Sequence, residues 1–219
     1  MAGRNVSRPW RLPLVILLAS FLLVGPPFLS AYWVGLLTQV VILGILAMSL
    51  DLLIGYTGLP SLGHAGFFGV AAYGVGVLST TYHAGLWTSV AGGFAIGTGL
   101  AALFGLIVSH VRDVYFLMIT MALGMVLWGL SFRWIPVTGG DNGISGIPRL
   151  ETLLGLPASG PIPYYYVTLA VFVLCSALMT MLVKSPFGLT LQGIREHEPR
   201  MRSLGFNTWL HGYVSYVCA

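Results

Sequence analysis

The chain has 219 residues, 57% of them hydrophobic and only 7% charged, with a mean hydropathy of +0.89 and a formal net charge of +4. An ordinary soluble domain is about a quarter charged, so this composition excludes one and indicates an integral membrane protein. Repeated apolar stretches of about 20 residues, without strand-like alternation, favour an all-α polytopic transmembrane helical bundle over a barrel.

Six spans are predicted in chain order, at Leu12–Leu29, Val34–Gly55, Leu62–Tyr82, Leu86–Val111, Val114–Ile135 and Tyr164–Val183, and a seventh begins near Asn207. With the N-terminus inside, alternate threading leaves only Arg133 and Arg149 outside and the other eight of the ten basic residues in the cytoplasm. That asymmetry obeys the positive-inside rule, so the net charge reflects topology and not nucleic-acid binding. A cleavable signal peptide is the alternative for the first span, because Leu29-Ser30-Ala31 loosely resembles a cleavage site. The length of the apolar run, its Pro26-Pro27 ending and the topology favour a retained span. From Asn207 to Ala219 too few residues remain to cross a membrane, so the chain is expected to be truncated at its C-terminus.

Asp51 is the one acid inside a span, about a turn from its cytoplasmic end, where structural hydrogen bonding and a role in coupling or transport are both open. The third span carries glycines at 63, 66, 69, 74 and 76, which suit close helix packing or a helix break beside a pathway. His64 at its start reads as a satisfied interfacial histidine ahead of a proton relay. Asp51, Gly63, His64, Gly66 and Gly69 are the translocation-pathway candidates. In the fourth span Gly93, Gly97, Ala101 and Gly105 recur every four residues and predict a smooth packing stripe. The external loop contains Gly139-Gly140-Asp141-Asn142-Gly143, turn chemistry that also suits a surface meeting an external partner or gating the outer mouth.

Catalytic signatures are missing from the sequence. The single lysine, Lys184, follows Val183, so there is no Walker A motif; His197-Glu198 does not extend to a zinc-protease pattern. No catalytic residue, metal site or cofactor is expected, and Cys175 and Cys218 read as small buried hydrophobes.

The stretch from Arg195 to Arg202 concentrates Arg195, Glu196, Glu198, Arg200 and Arg202 in a chain that otherwise avoids charge. Ser185 followed by Pro186 is a helix start, and Phe187, Leu191 and Ile194 share one face of the helix that follows. Pro199 is expected to interrupt this helix and begin a second turn, and Gly205 to cap it after Leu204, giving a helix–break–helix elbow. A helix lying on lipid headgroups is the plainer reading. Mixed acid and base, however, suit a folded protein's charges better than an anionic surface.

The stretch SPFGLTLQGIREHEPRMRSLGFN resembles the cytoplasmic EAA-type coupling loop of the LivM-like permeases of branched-chain amino acid ABC importers. SLDLLIGYTGLPSLGHAGFFGVAAYG at Ser49–Gly74 and VTGGDNGISGIPR at Val137–Arg149 are similar to that family as well. The resemblance implies a single transmembrane permease domain over residues 1–219, with a coupling loop at 185–206, in a bacterial inner membrane. It further implies two cytoplasmic ABC ATPase subunits, a second LivH-like permease and an external solute-binding protein, with ATP hydrolysed by a partner chain. On that reading Phe187, Leu191 and Ile194 form the apolar ATPase seat and the five charges its rim. Branched-chain or similar hydrophobic amino acids are the expected substrates, with urea or short amides as the alternative. A secondary transporter or channel is the competing class, disfavoured by the elbow and by the lack of several buried ionisable residues.

Overall fold

The computed structural model describes residues 20–111, 113–147, 152–153, 156–157 and 160–219. Helix α1 (Ala31–Asp51) runs without interruption into a π-helical segment, Leu52–Thr57. Then follow α2 (His64–Thr80), α3 (Leu86–Val108) and α4 (Asp113–Arg133). A single helical turn at Ile135–Thr138 and a 3-10 turn at Gly140–Asn142 lead to a two-residue antiparallel ladder, β1 (Thr152–Leu153) with β2 (Leu156–Pro157). The chain continues through α5 (Pro161–Lys184), α6 (Pro186–Ser203) and α7 (Thr208–Cys218). Four helices among the described residues are long and apolar enough to cross a membrane: Ala31–Thr57, Leu86–Val108, Val114–Arg133 and Pro161–Lys184. The architecture is an all-helical membrane bundle. The first predicted span lies partly outside the described residues; its residues 20–24 are helical.

Two helix groups pack separately, α1 with α5 and α2 with both α3 and α4, and the π segment, α6 and α7 join them. Val34, Val41, Tyr165 and Leu169 are buried in the first group; Leu53, Leu59, Val108, Phe116 and Tyr216 are buried where the second meets the joining elements. The glycine stripe of α3 lies against α2. A Cβ added at Gly93 would stand 2.4 Å from Val75 Cγ2 and 2.7 Å from the Ala71 carbonyl oxygen, and one at Gly97 2.9 Å from Ala71 Cβ. Lipid supplies no hydrophobic force between helices, so such close approach provides the van der Waals contact that holds the pair. At its other end Gly105 admits the rings of Tyr213 and Tyr216 from α7.

A local defect near the start of the chain is repaired from far away. Pro26 and Pro27 have no N–H, so the carbonyls four residues earlier, Leu22 and Leu23, lose their helical donors. The Tyr165 hydroxyl donates to Leu22 O at 3.0 Å and the Tyr166 hydroxyl to Leu23 O at 2.8 Å. Two adjacent tyrosines on α5 thus answer two adjacent prolines.

Candidate functional site

The end of α1 sits at the elbow, and the chain turns back there through Gly58–Gly63, so α2 starts at the elbow end and α4 finishes at the opposite end with the glycine-rich loop. Between α2 and α4 runs a groove of about 630 Å³ that reaches from Leu62, before α2, to Gly140 and Asp141 in that loop. Gly66, Gly69, Gly124 and Met125 line its elbow-side half. Tyr73, Ser131 and Asp141 bring polar groups towards the loop end, beside the stacked rings of Trp128 and Phe132. Apolar side chains line most of the groove, with its polar groups gathered towards the loop end.

Glycines make the groove possible in two different ways. A Cβ at Gly63 would lie 2.3 Å from the Thr120 carbonyl oxygen, and one at Gly124 3.2 Å from Gly63 Cα, so here the backbones of α4 and the start of α2 touch. Gly66 faces Leu127 and Gly124 at the next turn. Gly69 has nothing within 4 Å of its Cβ position and opens onto the groove. At the far end Gly139, Gly140 and Gly143 all take positive φ, and Thr138 Oγ1 donates to Ser131 O at 2.6 Å, tying the loop to the end of α4. Asn142 is exposed beside the mouth.

The pathway candidates do not all converge. Gly66 and Gly69 line the groove, together with Gly140 and Asp141 of the loop. Gly63 is a packing contact behind it. His64 is buried and turns towards Phe67 and Tyr216, with ring centroids 6.4 and 6.3 Å away. The expected satisfaction of this histidine is incomplete: His64 Nδ1, Ser61 Oγ and the Tyr216 hydroxyl are buried without a hydrogen-bond partner among the described residues. Asp51 lies outside the groove, exposed on α1, with Oδ1 against Gly55. Tyr73, Gly124, Trp128 and Ser131 escaped sequence reasoning because nothing local marks a helix face as groove-lining. The polar Ser131 inside an apolar span was the one available signal.

The elbow forms, and Pro199 begins its second helix two residues after the break. Ser185 caps α6, its Oγ accepting from Gly188 N at 3.4 Å, and Pro186 takes the first helical position. The non-helical residue is His197 (φ −151°, ψ 80°). Proline's ring collides with the carbonyl four residues back, so the backbone yields upstream and Pro199 enters the first turn of the following helix, where it is tolerated. Gly205, at φ 88°, closes the elbow: its N–H bonds to Arg202 O at 3.0 Å and the Phe206 N–H to Met201 O at 3.1 Å.

The apolar face of α6 turns into its own chain. Leu191 and Ile194 are buried, α6 packs on the π segment, α5 and α7, and Phe187 stacks on His211 at 5.6 Å. Leu191 and Ile194 of the expected apolar seat are therefore taken up by internal packing, while Phe187 is half-buried. Exposed residues of the elbow include Leu189, Arg195, Glu196, Arg200 and Leu204, while Arg202 pairs with Glu198 at 3.2 Å. Among the described residues no three His, Cys, Asp or Glu side chains gather as a metal site.

A family model described as the permease component of the branched-chain amino acid transport system matches residues 32–219, which include the whole groove and the elbow. The chain belongs to this permease family. Its relatives include the high-affinity branched-chain amino acid transport system permease protein LivM of Escherichia coli K12, 32% identical over 94% of this chain and 53% of that protein. The LivM protein of Salmonella typhimurium LT2 is 29% identical over 83% of this chain and 48% of its own length. The chain spans about half the length of these curated relatives. No solved structure gives a significant match.

Proposed function

We propose that the chain is the membrane-spanning permease part of an ABC importer that moves branched-chain or similar hydrophobic amino acids across a bacterial inner membrane. Family membership over residues 32–219 is the observation that carries this reading. The groove supports it: an aliphatic side chain fits the floor at Gly66 and Gly69, and the polar mouth at Ser131 and Asp141 suits a zwitterion's charged end. The N-terminus and the elbow lie in the cytoplasm, and the Gly139–Gly143 loop faces an external solute-binding protein. A second LivH-like permease completes the pathway.

Two ATPase subunits supply the energy, one docked on this elbow and one on the second permease. The docking face is the outward side of α6, with Leu189 and Leu204 as apolar contacts and Glu196 and Arg200 beside them. Closure of the ATPases displaces the elbow and shifts the population between inward- and outward-open forms. The test is uptake of labelled leucine by cells carrying a full-length version of the system. Competition by isoleucine and valine is the expected result. Failure of those competitors, with accumulation of urea or a short amide, would overturn the substrate assignment.

A further inference from the structure

Arg195 is exposed beside the outward face of the elbow, yet its guanidinium turns back to its own chain. Its Nη1 donates to the carbonyl of Gly55, 140 residues earlier, in the π segment that ends α1. The aliphatic stem lies on Gly58, where an added Cβ would stand 2.8 Å from Arg195 Cγ. Resting on the importer reading above, we propose that Arg195 is a positioning residue that transmits the elbow's displacement to the first described span.

Three features carry this role. First, Gly55 belongs to the last turn of a helix, whose final carbonyls lack intrahelical donors and attract a cation. The bond to Arg195 is directional, whereas the packing of Leu191 and Ile194 beneath it is not. Second, the end of α1 is built to receive the side chain. Gly58 takes φ +75°, returns its N–H to Leu53 O, and so turns the chain away while leaving a bare surface for the arginine stem. Third, the tie falls on π-helical residues, a rare irregular backbone that is frequent at functional sites. Asp51 adds to the anchor, since its Oδ1 occupies the space beside Gly55 that a side chain would fill. The one acid inside a span and the elbow's guanidinium therefore flank the same glycine.

The experiment uses the full-length permease assembled with its partner permease and ATPases in proteoliposomes. Arg195→Met keeps the stem and removes the donor; Arg195→Lys returns a single donor; Gly58→Ala displaces the stem. With Arg195→Met and Gly58→Ala, the ATPases are expected to co-purify and hydrolyse ATP as in the wild type, while uptake per ATP falls by about tenfold. Arg195→Lys is expected to recover part of that loss. Release of the ATPases by Arg195→Met would make the residue a docking contact and overturn the proposal, as would unchanged uptake per ATP. Loss of membrane accumulation in both the Met and the Lys variants would make it a purely structural residue and would overturn the proposal too. No ATP-dependent uptake by the wild-type assembly would overturn the importer reading itself and this role with it.

Discussion

Leu189 and Leu191 stand on opposite sides of α6: Leu189 is 64% exposed, whereas Leu191 is fully buried. Leu191→Ala and Ile194→Ala are therefore expected to lower stability by about 2–5 kcal/mol each, as core truncations do. Leu189→Ala should leave the thermal midpoint in detergent unchanged and instead weaken ATPase retention in the assembled transporter. A Leu191→Ala variant with wild-type stability and no bound ATPase would return that residue to the docking surface.

Gly63, which precedes α2, and Gly69 within it make a matched pair for measurement. Gly63→Ala places a methyl group 2.3 Å from the Thr120 carbonyl oxygen, so α2 and α4 must separate, at a cost of about 1–3 kcal/mol. Gly69→Ala meets open space and is expected to be neutral or to gain less than about 1 kcal/mol from helix propensity. Thermal melts of the two purified variants should differ in that order.

Gly69 also reports on the groove. In a background with Cys175 and Cys218 replaced by alanine, Gly69→Cys is expected to react with a water-soluble thiol reagent in the assembled transporter, and leucine is expected to slow the reaction. Gly69→Leu should reduce uptake with normal membrane levels. A thiol that reacts only with lipid-soluble reagents would mean that the groove faces the bilayer or a partner helix.

The tyrosine pair should be unequal. Tyr165 is buried and Tyr166 only half-buried, so Tyr165→Phe is expected to cost about 1–3 kcal/mol and Tyr166→Phe less, because water reaches the second carbonyl more easily. Equal melting temperatures for the two variants would contradict this.

Orientation is open to direct labelling. In the same cysteine-free background, Asn142→Cys is expected to react with an impermeant thiol reagent in intact cells and Gln192→Cys only after the cells are opened. The reverse pattern would move the elbow outside.

What could be read in advance was local. The apolar stretches, the α3 stripe, the Ser185-Pro186 start and the Gly205 cap each depend on neighbours a few residues apart, and all appear in the structure. Periodicity also identified the face shared by Leu191 and Ile194. It says nothing of whether that face meets another chain or its own, which is decided by how α6 folds back on the π segment. The groove unites Gly66 and Gly69 with Gly140 and Asp141, and the arginine tie unites Gly55 with Arg195; neither leaves a local trace. Asp51 stood out as an acid in a span, and its place beside Gly55 follows from i, i+4 spacing on a helix, but the π-helical turn that presents the Gly55 carbonyl to Arg195 has no cue in the sequence.

The answer of Tyr165 and Tyr166 to Pro26 and Pro27 bears on the order in which the chain is built into the membrane. Synthesis delivers the carbonyls of Leu22 and Leu23 to the bilayer 143 residues before the hydroxyls that pair with them. During that interval those carbonyls need water or the insertion machinery as substitutes, which keeps this early segment near the aqueous boundary. Only when α5 arrives does it settle. The segment that carries Pro26 and Pro27 is therefore expected to reach its final depth only after α5 has been made, a late, long-range step in the assembly of the bundle.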